Sequence, residues 1–399
     1  MAPLGRLRAD RLRDGVYTAN SLNAEYYGQR ASKGGLQLTE STPISRRAAG
    51  YPGIAGIFTP EQVEAFKPVT EAVHAKGGFI FCQLWHAGRA SIPDYLDGET
   101  PVSSSAVALP GSFVGPGPKE YPAVVPKALT QPEIDDIVQD FAAAAKRAIA
   151  AGFDGVEIHG ANGYLIEQFL HDNINQRTDQ YGGNIQNRCR FPLEVLRAVT
   201  SAVGSERTGI RLSPFNYFHG TRDSDPMGHW AYLCEQIVAL PRSNRPAYVN
   251  SIQPQFDEML SEEAKMKALA ASASTSTTAS TSASASLLAS ASAKQDTSTY
   301  SLTPFRRILQ RGDIKFLAAG NYNRDNALPT IENDEADGVI FGRHFIANPD
   351  LPRRLAEGLP LNPYDRSTFY GANPPSKGYT DYPFWSSDLA SSPSLSASA

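Results

Sequence analysis

Residues 152–170, GFDGVEIHGANGYLIEQFL, hold three side chains whose types could act together on a carbonyl compound. The apolar run Val156 to Ile158 ends at His159, and the chain then turns through Gly160 and Gly163, carrying Asn162 and Tyr164 with it. Side chains just past the C-terminal end of a parallel-barrel strand face the active-site mouth. There, His159 and Asn162 could both donate to one carbonyl oxygen and draw electron density out of a conjugated double bond, while the Tyr164 phenol acts as general acid. Any one of them alone is more often a satisfied structural group after a strand. The trio in this setting favours chemistry.

The elements that must position the trio alternate between short apolar runs and amphipathic helices, the pattern of a parallel sheet with helical crossovers. Candidate strands are Leu36 to Glu40, Phe79 to Leu84, Gly155 to His159, Gly209 to Ser213, Ala247 to Ile252, Lys315 to Ala319 and Gly338 to Gly342. Thr59-Pro60-Glu61 and Thr130-Gln131-Pro132-Glu133 each supply an N-cap hydroxyl with an early proline and acid, predicting helices that run to about Lys76 and Ala151. A closed (β/α)8 TIM barrel needs an eighth strand. Only Met1 to Leu4 remains for it, so the first strand reads as truncated at the N-terminus. Between the sixth and seventh strands of that barrel, Ala268 to Ser301 is a low-complexity Ala/Ser/Thr run expected to be disordered, an alanine-driven helix being weakened by the interspersed Ser and Thr. The reading is one α/β domain over 1–385, interrupted by 268–301, with a loose tail at 386–399.

Bulk properties narrow the function classes. The 399 residues are 41% hydrophobic, enough for a large core, and 37 basic against 41 acidic residues give a net charge of -4 with no basic stripe, which argues against a nucleic-acid partner. Cys82, Cys189 and Cys234 lie too far apart for a metal knot or a disulfide framework, so no metal is expected and the thiols read as reduced. Neither a membrane-length apolar stretch nor a secretory or lipidation signal is visible. The expectation is a cytoplasmic enzyme acting on a small molecule without a membrane partner.

HGANGYL, followed by NQRTDQYGGNIQNRCRF, resembles the Old Yellow Enzyme family of FMN-dependent ene-reductases. The likeness extends through EYYGQRAS, GIFTPEQVEAF, FCQLWHAGRAS, GIRLSPF, AAGNY, GVIFGRHFIANPDLPRRLAEGLPLN and GYTDYP, nearly the whole chain outside the insertion and tail. It implies that Gln83 holds the polar edge of the isoalloxazine, that Arg211 stands beside flavin N1, and that Gly320, Asn321, Gly342 and Arg343 take the phosphate. Amide, cation and glycine-rich loops suit those tasks. Pro3, Leu4, Gly5 and Ser41 match further flavin-lining positions, and Tyr370 a tyrosine shaping the substrate pocket. Gly5 stands where the family usually has Thr or Cys beside flavin C4 carbonyl, and Ser41 where it usually has glycine.

The implied mechanism is ping-pong. NADPH reduces FMN and leaves; an α,β-unsaturated aldehyde or ketone then binds with its oxygen on His159 and Asn162, takes hydride at the β-carbon and is protonated by Tyr164. The same scaffold could isomerise a double bond, an outcome favoured when the proton donor is lost, or be a degenerate barrel with impaired FMN binding. Iron-sulfur dienoyl reductases need a cysteine cluster after the barrel, and no cysteine follows Cys234. A place in the ergot-alkaloid branch, the chanoclavine-aldehyde reductases of fungal secondary metabolism, is a further expectation of the resemblance, as is a monomer or homodimer.

Overall fold

Runs of alternating inward and outward residues shape seven parallel strands, Leu36–Leu38, Phe79–Trp85, Gly155–Gly160, Thr208–Leu212, Tyr248–Ile252, Lys315–Ala319 and Gly338–Ile340, which pair in chain order. Thr42–Pro43 extends the first and pairs with Leu84 and Trp85. The computed structural model describes residues 1–114, 120–256, 264, 265, 267 and 300–386. The expected insertion over Ala268–Ser301 and the tail from 386 lie outside these, apart from residues 300, 301 and 386.

All seven expected strands are present, with ends shifted by at most two residues. The eighth is different. Met1 donates to Leu36 O (2.7 Å) and accepts from Leu38 N (3.2 Å), and Ala2 donates to Phe341 O (2.9 Å), so two residues bridge the sheet's two edges. No strand forms over Met1–Leu4. Pro3 has no N–H to carry the ladder further, and by Arg6 and Leu7 the backbone amides have turned to the Glu40 carboxylate (2.9 and 3.2 Å). The architecture is that of a TIM barrel.

Outside the sheet, helices Pro60–His74, Gln131–Ala150, Arg190–Val203, Pro226–Ala239, Thr303–Gln310 and Arg324–Glu332 alternate with the strands. Both expected helix starts are built as read. Gln62 N donates to Thr59 Oγ1 (3.3 Å) and Thr59 N to Gln62 Oε1 (3.0 Å) around Pro60 at the first helical position, and Glu133 accepts from the Thr130 N–H (2.9 Å) and hydroxyl (2.8 Å). Outward residues such as Ile80, Cys82, Leu84, Val156, Ile158, Ile210 and Val249 pack against the helices in the main core, which also takes in the buried, unbridged Cys189 and Cys234. Among the described residues, no helix is long and apolar enough to cross a membrane.

Inside the barrel the lower layer is aromatic and the upper layer polar. Phe81 and Tyr248 lie with ring centroids 6.0 Å apart, and the neighbouring strands meet them with glycine. A Cβ on Gly155 would come within 2.5 Å of the Phe81 ring, and one on Gly209 within 2.2 Å of the Tyr248 ring. Large and small residues therefore interlock across the interior. Gly209→Ala should overpack this layer and destabilise the fold by about 2 kcal/mol. Urea unfolding measures it, and an unchanged midpoint would contradict the packing.

Candidate active site

The two-residue period of the strands that sets Gly155 below the Phe81 ring sets Glu157 and His159 above it, in line with Gln83, Arg211 and Asn250 from adjacent strands. Glu157 is fully buried. It accepts from Gln83 Nε2 (2.8 Å) and Asn250 Nδ2 (3.0 Å), and burial raises its pKa against the opposing pull of Arg211 and these donors. Gln83 Oε1 in turn accepts from Ser41 Oγ (3.0 Å). The amide is thus oriented at both ends, with one N–H and one lone pair to spare. Ser41 thus gives Gln83 a bond that a glycine at this position could not make. Glu157, on the adjacent strand, is a carboxylate close enough to Arg211 to feel its charge.

His159 is buried at its strand's end, and its pKa lies well below the ordinary histidine range, first through desolvation and then through the charges of Arg211 and His219. The neutral ring accepts from Ala161 N at Nδ1 (3.4 Å), which leaves the proton on Nε2 as a donor. Asn162 follows in a left-handed conformation (φ +58°), a cost of about 1 kcal/mol for a residue with a Cβ. Its side-chain Oδ1 is buried with no protein partner among the described residues. The Tyr164 ring, 9% exposed, stands edge-on to His159 (5.0 Å between centroids), Trp85 (5.1 Å) and His219 (5.1 Å). Tyr51 hydrogen-bonds Tyr164, and burial pushes the Tyr51 phenol up to about 12. The structure therefore brings His159, Asn162 and Tyr164 together, and adds Tyr51 and His219.

The remaining expected site residues border the same mouth. A Cβ on Gly5 would have no neighbour within 4 Å, so that position opens onto space. Gly342, whose Cβ would lie 3.7 Å from Leu4 Cδ2 and Ala2 Cβ, joins the Pro3–Gly5 stretch to the start of helix Arg343–Ala347. Gly320 (φ +121°) and Asn321 (φ +57°) make a left-handed turn after their strand. A Cβ on Gly320 would approach Phe256 Cβ to 2.9 Å, and the Arg343 guanidinium stands 5.1 Å from the Phe256 ring. These contacts gather Gly320 and Arg343 around Phe256, which the sequence reading did not single out. Tyr370 is 64% exposed, and Gly371 N donates to Arg6 O (3.2 Å), so its segment is tied to the residue that follows Gly5.

The mouth of this parallel barrel thus carries a neutral imidazole, an amide and a phenol on one strand end and the turn that follows it. The sequence profile of the NADH:flavin oxidoreductase / NADH oxidase family matches residues 1–293 and 257–362, and the chain belongs to that family, which contains the Old Yellow Enzymes. It is 54% identical over 383 residues to flavin oxidoreductase hxnT of Emericella nidulans, covering 96% of this chain and 92% of that protein. It is 43% identical over 360 residues to putative 12-oxophytodienoate reductase 4 of Oryza sativa subsp. japonica, covering 90% and 83%. The structure of morphinone reductase in complex with tetrahydroNAD superposes with a TM-score of 0.79 at 40% identity, over 97% of this chain and 93% of that one. The protein is accordingly an FMN-dependent oxidoreductase of the ene-reductase type.

Burial of neutral histidines gives the fold an acid limit. Burial holds His86 at about 3 and His219 at about 4, whereas both titrate at 6.5 in the unfolded chain. Between pH 6.5 and about 4 the unfolded state binds more protons, so stability falls as pH falls, by about 1.4 kcal/mol per pH unit for each histidine. The melting temperature should drop between pH 7 and pH 5; a flat profile would show that these rings are solvated.

Proposed function

We propose that the protein reduces the C=C bond of α,β-unsaturated aldehydes and ketones with NADPH in a ping-pong cycle, with Tyr164 as proton donor. The observation that carries this reading is the meeting, at one barrel mouth, of a neutral His159 with its Nε2 proton free to donate, the Asn162 amide and the Tyr164 phenol. His159 and Asn162 hold the substrate carbonyl oxygen and stabilise the negative charge that grows on it as the β-carbon is reduced. Tyr164 lies beside that pair and hands its proton to the α-carbon, completing net reduction. Its presence favours reduction over isomerisation.

The residues fit FMN by their donor chemistry. Gln83 retains an N–H and a lone pair for the polar rim of the ring system, and Arg211 supplies a cation at the level of His159. The left-handed turn at Gly320 and Asn321, with Gly342 and Arg343, suits the phosphate. Pro3, Leu4, Gly5 and Ser41 border the ring, and Tyr370 the substrate. Bound FMN supplies the hydride chemistry. The tetrahydroNAD held by morphinone reductase supports a nicotinamide as reductant here too. The 54% identical relative is named for flavin oxidation and reduction and not for clavine chemistry, so the substrate proposed is the carbonyl class and no single pathway.

The purified protein should be yellow, bleach with NADPH and recolour with cyclohexenone; a colourless protein that stays so with added FMN would sink the proposal. Tyr164→Phe should slow the recolouring step by about 10²-fold and spare the bleaching step. Stopped-flow absorbance separates the two, and equal losses in both would remove Tyr164 from its role. His159→Ala with Asn162→Ala should abolish the charge-transfer band of bound phenols.

A further inference from the structure

The turn that presents Asn162 is unusual in that side chains hold every polar group of two successive peptides. Asn162 N donates to Ser213 Oγ (2.8 Å), and Asn162 O accepts from His219 Nδ1 (2.9 Å). Gly163 N donates to Glu167 Oε2 (2.5 Å), and Gly163 O accepts from Gln168 Nε2 (2.8 Å). Both residues are left-handed, at φ +58° and +73°. Successive N–H groups in such a turn converge to form an anion-binding concavity. Here the anion belongs to the protein. Ser213 Oγ, having accepted from Asn162, donates its own proton to Glu167 Oε1 (2.5 Å), so both amides end on one carboxylate, one directly and one through a hydroxyl.

Glu167 is fully buried on the short helix Leu165–Leu170, with His171 Nε2 3.6 Å from its other side. Its neighbour Gln168 is pinned in turn, its Oε1 accepting from Arg89 N (3.1 Å) and Ser103 Oγ (2.9 Å). Gly163 admits no Cβ, which would fall 2.7 Å from His219 Cβ and 2.9 Å from Phe218 O. The loop at 218–219 therefore closes over the turn and leaves Glu167 no access to solvent that could replace a lost bond.

We propose that Glu167 is the positioning residue of the carbonyl site: through Gly163 N and the Ser213 hydroxyl it locks the left-handed turn that aims the Asn162 amide. The proposal rests on the reading of Asn162 as a carbonyl donor. Two donors face the carboxylate, the Gly163 N–H and the Ser213 O–H, so both of its oxygens must accept. An amide in its place has one oxygen: with that oxygen on the Gly163 N–H, its NH2 faces the Ser213 hydroxyl, whose own proton loses its acceptor. Glu167→Gln should therefore release the turn while nearly conserving volume.

The probe is 4-chlorophenol titrated into the FMN-loaded protein, with the charge-transfer absorbance as readout and the flavin spectrum as a control for intact cofactor binding. Glu167→Gln is expected to weaken phenol binding about tenfold. In an Asn162→Ala background the same substitution should cost less than about twofold, because the group it positions is already gone. Equal losses in the two backgrounds would overturn the proposal and leave Glu167 a packing residue. If Asn162→Ala alone leaves phenol affinity unchanged, the carbonyl-site reading fails instead. Should Glu167→Gln not fold, Ser213→Ala breaks the same relay and is expected to cost about threefold. That loss too should vanish without Asn162, and a loss that persists overturns the proposal.

Discussion

A carboxylate inside a closed barrel must be satisfied by whatever the surrounding strands can aim at it, and Glu157 is met by Gln83 from the neighbouring strand and by Asn250 from the strand two places away on the other side, at 2.8 and 3.0 Å. Much of the upper barrel follows from this. Because Glu157 accepts the Gln83 N–H, the Gln83 amide has only one orientation, and the Ser41 hydroxyl reads that orientation at the oxygen end. Because its negative charge lies one layer below Arg211, that guanidinium can be buried at the mouth. Removing the carboxylate while leaving its partners would orphan two amide donors where water cannot replace it.

The same region determines the protonation state of the imidazole. Burial disfavours a charged His159, and Arg211 and His219 add to the effect. In the reaction proposed above, a neutral ring with its proton on Nε2 suits a group that donates to a carbonyl oxygen and keeps its proton, with proton transfer assigned to the phenol beside it. The two residues have different surroundings: a low-dielectric strand end with a nearby cation for His159, an aromatic wall of Trp85, His219 and Tyr51 for Tyr164.

Strands and the helices starting at Thr59 and Thr130 were legible because a period of two and capping residues are local properties. The truncated first element at Met1–Leu4 was legible as the piece that closes the barrel, but it does so through Met1 and Ala2 alone, because Pro3 cannot continue the ladder. The closeness of His159, Asn162 and Tyr164 was legible because one short segment carries all three. Glu157 could have been found by the same alternation, since it stands two residues before His159 and must share its face. Tyr51, His219 and Phe256 were out of reach: each comes from a loop whose path is decided by contacts far away in the chain. The insertion hides a comparable distance, since Ile252 and Lys315 lie on adjacent strands although 62 residues separate them in sequence.

The residues just after Gly5 are fastened to the far end of the chain. Arg6 Nη2 reaches Gly378 O (2.7 Å), and Arg8 Nη2 reaches Thr368 O (2.8 Å) and Lys377 O (3.0 Å), with Tyr379 packed against both guanidinium groups. These bonds span 360 to 372 positions, more than nine-tenths of the 399-residue sequence. Arg6 and Arg8 can make these bonds only once residues 368–378 have been synthesised, so this tie carries a high loop-closure cost and couples the early segment to the completion of the chain beyond the last strand.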